Sequence, residues 1–240
     1  MAGTTKPNLE QFAQRLEAAL GDNLVALLLF GSAARGTHVE GRSDLNVLVI
    51  VKDAGVLRLH AATPVLAEWA KAGEPAPLVF AEAEWRASAD VFPIEIEDMR
   101  EAHRVLAGRD PFEGVATRRA DLRRELEHEL RGKVLRLRTE YAAAAADGKA
   151  LGRLLVHSAG TFFILFRATL RLLGGAPPAD HDALVRETAA AAGLDISAFD
   201  WVLAALGGKD PKSLEAYDAV AGRYVDAMEA LADFVDRLET

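Results

Sequence analysis

Two short polar clusters, each set against an apolar run, hold the residues of this chain whose types and spacing suit chemistry. Gly31-Ser32 ends the first run, Leu24 to Phe30, and Ser43-Asp44-Leu45-Asn46 opens the second, Val47 to Val51, with ten residues between Ser32 and Ser43. Glycine lets a ligand approach the backbone without meeting a Cβ, and serine adds an N–H and a hydroxyl, so the first cluster suits a phosphate. A strand that runs through Gly-Ser into a helix turns backbone N–H groups toward an anion. An aspartate at the head of the next strand brings an oxygen ligand for a hard cation to the same place. Arg35, Arg42 and Ser43 lie within loop reach of the same phosphates, Arg42 standing just before the second strand.

These clusters need strands to hold them. Both apolar runs have strand length and no polar alternation, as expected of strands buried on both faces. Alternation along the second strand, about Leu45–Val51, puts Asp44 and Asn46 on one face and Leu45 and Val47 on the other. Helices are expected over Asn8–Leu20 and Val56–Ala72, and a third strand over Leu78–Ala81 beyond Pro75 and Pro77. A fourth strand is expected over Phe92–Asp98, with Ile94 and Ile96 toward the core and Glu95 and Glu97 opposite. Pro93 lacks the ladder N–H, which places that strand at an edge. The order describes a small mixed α/β domain.

Gly31, Ser32 and Asp44 resemble the nucleotidyltransferase superfamily, the fold of DNA polymerase beta and the aminoglycoside nucleotidyltransferases. There Gly-Ser is followed, after a similar spacer, by Asp-x-Asp at the head of a strand; here Asn46 takes the place of the second aspartate. The resemblance implies an α/β (α+β) nucleotidyltransferase-fold N-terminal domain with a mixed sheet over residues 1–110. It implies transfer of a nucleoside monophosphate from a Mg²⁺-bound (or Mn²⁺-bound) nucleoside triphosphate to a hydroxyl acceptor, most naturally a small molecule. In that reading Gly31, Ser32, Arg35, Arg42 and Ser43 bind the nucleotide. Asp44, position 46 and a third carboxylate from a further strand hold metal; Glu95 is the first choice for the third and Glu97 the second. Asp44 and Glu95 are then the catalytic pair.

Asn46 supports a rival. An amide offers one neutral oxygen and turns an N–H₂ toward cations, where a carboxylate would bridge and neutralise them. The alternative is therefore an impaired or inactive nucleotidyltransferase-fold protein serving as a nucleotide-binding or protein-interaction module. A third reading is an antitoxin-like nucleotidyltransferase that modifies a partner protein.

The turn-rich stretch Gly108–Gly114 is the expected boundary, and residues 115–240 read as an all-α helical bundle. Leu122, Leu126, Leu130, Val134, Leu137 and Tyr141 form one stripe of a helix over Arg118–Ala146. Leu151–Leu173 is apolar nearly all round and should be the central helix. Helices at Asp180–Ala192 and Ser197–Leu206 follow, with a last one running from Asp210-Pro211 to about Leu238. Lys133, Arg136 and Arg138 read as a solvated face paired with neighbouring glutamates. Arg167, inside the most apolar helix, needs a partner: Glu127 or Glu129, or a substrate anion. His157 reads as a hydrogen-bonded core histidine.

Composition narrows the classes. The chain has 240 residues, half of them hydrophobic and 27% charged, with a formal charge of −8. That balance gives no long-range steering toward nucleic acid. There is no cysteine, which excludes disulfides and thiol chemistry, and the six histidines show no metal-binding spacing. The N-terminus has no apolar signal core. The longest uncharged stretch, Leu154 to Phe166, is thirteen residues, short of the roughly 20 that span a bilayer. A cytoplasmic protein without a membrane segment is expected, and the apolar bundle leaves room for a homodimer.

Overall fold

The computed structural model describes residues 8–36, 44–209 and 212–239. Helix α1 (Leu9–Leu20), capped by the Asn8 side chain, leads into β1 (Leu24–Phe30) and the single turn α2 (Ser32–Arg35). Then come β2 (Asn46–Val51), α3 (Val56–Leu59), α4 (Thr63–Lys71), β3 (Leu78–Ala81), α5 (Glu82–Ala87), α6 (Pro93–Glu101) and β4 (His103–Gly108). The helical part comprises α7 (Arg119–Ala144), α8 (Gly148–Leu172), α9 (His181–Ala192), α10 (Ser197–Leu206) and α11 (Ala219–Asp236). The chain divides into one unit of residues 1–91 with 95–117 and a second of 92–94 with 118–240.

The sheet is four-stranded and mixed, in the order β3-β2-β1-β4. β1 pairs antiparallel with β2 and β4, and β2 pairs parallel with β3. Apart from Asn46 at the head of β2, its central strands are apolar because both faces are covered. Leu27, Leu29, Val47, Val49 and Val51 pack with Phe12, Leu16, Val65 and Trp69 of α1 and α4. Ala26, Leu28, Leu48 and Ile50 pack with Trp85, Ile96 and Met99 of α5 and α6. The alternation expected of β2 holds: Leu45 packs on the first face, so Asn46 belongs with Leu48 and Ile50 on the second.

Residues 92–98 are not a strand. Pro93 is the first residue of α6, where its fixed φ and missing N–H cost nothing. Ile94, Ile96 and Met99 are buried, and Glu95 is exposed on the helix surface. The fourth strand is instead β4, at the sheet edge. There Gly108, at φ 76°, passes so close to Val25 that a Cβ would stand 2.2 Å from its carbonyl oxygen.

In the second unit, the α7 stripe from Leu122 to Leu137 is buried as expected, against α8 and α11. α8 contributes Leu151, Leu155, Phe162 and Phe166 to the same core. Lys133, Arg136 and Arg138 pair at the surface with Glu129, Glu140 and Glu229. Arg167 is buried and partnered, while Glu127 pairs with Arg123. His157 lies at the surface, not in the core. The last helix starts at Ala219 with Asp218 as its cap; Asp210 and Pro211 lie outside the described residues.

Candidate functional site

The two polar clusters meet where β1 and β2 end side by side. Phe30 is paired with Asn46, so the turn at Gly31 emerges directly beside the head of β2. Gly31 sits at φ 77°, which an L side chain adopts only with strain. A Cβ there would also stand 3.4 Å from the amide nitrogen of Asn46. The backbone conformation is what favours glycine, since a Cβ at that distance would make only an ordinary contact. The Gly31 carbonyl accepts the N–H groups of Ala34 and Arg35, closing the α2 turn, and Gly36 ends it with its N–H on Ser32. Ser32 opens that turn and is itself partnered.

Asp44 is exposed just before β2, and Asn46 is half-buried as its first residue. Arg42 and Ser43 lie outside the described residues. Arg35 is not turned out toward a ligand. Its side chain is only 5% exposed, with Nη2 2.6 Å from Asp98 Oδ1 and Nη1 2.8 Å from Glu101 Oε1. Nη2 also donates to the Asp98 carbonyl at 3.0 Å. The guanidinium thus ties the Gly31–Arg35 turn to α6. Glu97 accepts from the Thr117 hydroxyl at 2.7 Å and stands 3.4 Å from Arg100. Glu95, on α6 and exposed, does not lie on a strand of the sheet as the sequence suggested.

One residue near the site escaped the sequence reading altogether. Glu74, in the approach to β3, accepts the backbone N–H of Leu45 at 2.8 Å, between Asp44 and Asn46. Its only sequence signal is an acid placed just before Pro75 and Pro77 at the entry to the neighbouring strand.

The donor set decides what metal these residues suit. None of the four strands contains an acid, and among the described residues no three His, Cys, Asp or Glu side chains cluster to hold an ion. A carboxylate from Asp44 and an amide oxygen from Asn46 fit one Mg²⁺ that arrives on a triphosphate and keeps phosphate and water ligands. They do not fit the pair of ions that three acids would hold.

The sheet, its helices and the helical second unit together define a nucleotidyltransferase fold. The particular likeness is to the spectinomycin adenyltransferase AAD(9) of Enterococcus faecialis, solved with ATP and spectinomycin. The TM-score is 0.56 at 12% identity, over 95% of this chain and 98% of that one. At that identity the likeness establishes the fold. In sequence, a Methanocaldococcus jannaschii protein provisionally named a protein adenylyltransferase is 49% identical over 45 residues, which is 19% of this chain and 30% of that protein. No protein-family model matches the chain.

Proposed function

We propose that this protein is an adenylyltransferase that moves AMP from Mg²⁺–ATP to the hydroxyl of a small molecule in the cytoplasm. The observation that carries the reading is the juxtaposition of the Gly31 turn with Asn46 and the exposed Asp44. A phosphate-suited turn and a cation-suited carboxylate share one end of a buried sheet. The fold likeness, which covers 95% of this chain and 98% of a spectinomycin adenyltransferase solved with ATP and spectinomycin, supports a small-molecule acceptor and ATP as donor.

In the reaction the acceptor oxygen attacks the α-phosphorus and the α–β bridging P–O bond breaks. Pyrophosphate leaves with the bonding electrons, and the hydroxyl proton passes to solvent or a carboxylate. The backbone at Gly31 and Ser32 receives the triphosphate and orients the α-phosphorus for in-line attack. Asp44 and Asn46 would hold the metal, whose bound form neutralises charge on the phosphoryl oxygens and the departing pyrophosphate. Arg35 acts from behind, keeping the turn in place.

Asn46 and the acid-free strands favour a second reading, a nucleotide-binding module without turnover. Melting curves with ATP, GTP, CTP and UTP, each with and without Mg²⁺, separate the two when followed by an assay for pyrophosphate release with aminoglycoside and aminocyclitol acceptors. A ligand at 100 times its dissociation constant stabilises the folded state by about 2.7 kcal/mol. The expected result is a Mg²⁺-dependent shift with ATP, lost in Asp44→Ala, and acceptor-dependent pyrophosphate release. A shift without release under any acceptor supports the silent module; no shift with any triphosphate overturns both readings.

A further inference from the structure

We infer that Glu74 is a positioning residue for the metal-binding end of β2; this rests on the reading of Asp44 and Asn46 as the Mg²⁺ donors. Parallel pairing of β2 with β3 keeps a constant register: Leu48 with Leu78, Val49 with Val79, Ile50 with Phe80, Val51 with Ala81. Continued backward, that register sets Glu74 level with Asp44 and Ala76 level with Asn46. The ladder stops short of them. β3 begins only at Leu78, and Pro75 and Pro77 sit at alternate positions of the approach to this edge strand, where a missing N–H on the outer side is tolerated.

A side chain continues where the backbone ladder ends. The Glu74 carboxylate accepts the Leu45 N–H at 2.8 Å in a partly buried setting, and a charged acceptor makes this stronger than an amide–carbonyl bond. The carboxylate is also well anchored. The residue before a proline is confined to extended backbone, which restricts Glu74. The next carbonyl, that of Pro75, accepts the Trp69 indole N–H at 2.7 Å. Trp69 is buried, its ring 4.1 Å from that of Phe12. The line from the α1–α4 core through Trp69 and Pro75 to Glu74 therefore ends on the Asp44–Leu45 peptide, between the two candidate metal donors.

A residue that orients metal ligands acts on metal affinity, and loss of such a partner typically costs about 10–100-fold. The test measures the Mg²⁺ concentration that gives half the ATP-dependent melting shift, in wild type, Glu74→Ala, Glu74→Gln, Asp44→Ala and Glu68→Ala. Glu68→Ala removes an exposed glutamate of α4 paired with Arg15 and serves as the charge control. In Glu74→Ala the half-effect concentration should rise about tenfold or more, with Mg²⁺-free ATP binding unchanged. Glu74→Gln, whose amide oxygen still accepts the Leu45 N–H, should stay near wild type, as should Glu68→Ala.

If Glu74→Ala binds Mg²⁺–ATP like wild type while Asp44→Ala does not, the positioning role is refuted and the site stands. If Glu74→Gln is as impaired as Glu74→Ala, the charge rather than the hydrogen bond matters, and the positioning role is again refuted. If Asp44→Ala itself keeps the full Mg²⁺-dependent shift, the site reading falls and the inference with it. Should Glu74→Ala not fold, Glu74→Met, which keeps the stem and removes the acceptor, takes its place.

Discussion

The two units use charge in opposite ways. In the helical unit, charged side chains other than the buried Asp121 and Arg167 lie outside an apolar core. Arg136–Glu140, Arg131–Asp233 and Arg138–Glu229 are solvent-exposed pairs, of a kind worth about 0–1 kcal/mol each. In the sheet unit the charges nearest the candidate site each hold a particular piece of backbone. Arg35 ties the Gly31 turn to α6 through two carboxylates, and Glu74 holds the Leu45 peptide. Packing of large side chains stabilises the bundle; polar tethers set the geometry of the sheet's functional end. Mutations should therefore separate stability from ligand binding along the same line.

The largest stability effect is expected in the bundle. Phe162 of α8 is 1% exposed, with its ring 6.0 Å from that of Tyr224. Phe162→Ala removes its contacts and leaves a cavity, for a loss of about 3–5 kcal/mol. Chemical denaturation measures it, and ATP affinity of the folded variant should stay at the wild-type value. A loss below about 1 kcal/mol, or ATP affinity weakened beyond about tenfold, would mean that the division between the units is wrong.

Arg35 gives the next effect and sharpens the contrast, because here stability and binding should fall together. Arg35→Ala removes the guanidinium from Asp98 and from the exposed Glu101, and loss of a charged hydrogen bond of this kind costs about 1.5–3 kcal/mol. The Gly31 turn also loses its tether, so Mg²⁺–ATP binding should weaken. Arg35→Lys keeps the charge but not the planar fork that reaches two acids and a carbonyl, and should recover only part of either loss. Isothermal titration beside thermal unfolding reads both. Weaker ATP binding with unchanged stability would instead mean that Arg35 meets the phosphate directly, as the sequence alone suggests.

Why the sequence suggests it is a matter of range. Features set by local pattern were legible. The ends of β1 and β3, the stripe of α7 and the shared face of Asp44 and Asn46 follow from apolar runs and side-chain periods within a few residues. Features set by distant partners were not. Arg35 looks like a loop arginine because Asp98 and Glu101 lie more than sixty residues away. Residues 92–98 offered Ile94 and Ile96 at strand spacing but also Ile96 and Met99 at helical spacing, and Pro93 at a first helical position decided for the helix. β4 has only a weak apolar run, His-Arg-Val-Leu-Ala-Gly, and becomes a strand by pairing with β1. His157 reads as a core residue from its apolar helix, yet its side of α8 faces solvent. In the site, the meeting of Gly31 with Asn46 follows from two strands known to be neighbours. Glu74 needs the register of β2 against β3, which nothing local reports.

The smallest effect tests the polar groups of the bundle, where a single cap should matter only locally. Asp218 begins α11: Oδ1 accepts the Val220 N–H at 2.9 Å and Oδ2 the Glu215 N–H at 3.0 Å. Those N–H groups, Glu215 first and then Val220, hold its carboxyl below the usual aspartate range. Because the folded-state value is depressed, the stabilisation is fully present above the unfolded value of about 3.9 and disappears as pH falls through the folded value. Asp218→Ala should cost about 1 kcal/mol at pH 7, the usual worth of such a cap. Its gap from wild type should close on acidification below about pH 4. Asp218→Asn keeps an acceptor oxygen but does not titrate, so its own capping contribution should persist through the same range. Mg²⁺–ATP binding should be untouched in both. A gap between wild type and Asp218→Ala that stays constant down to about pH 2 would show that the carboxylate charge contributes nothing to the cap.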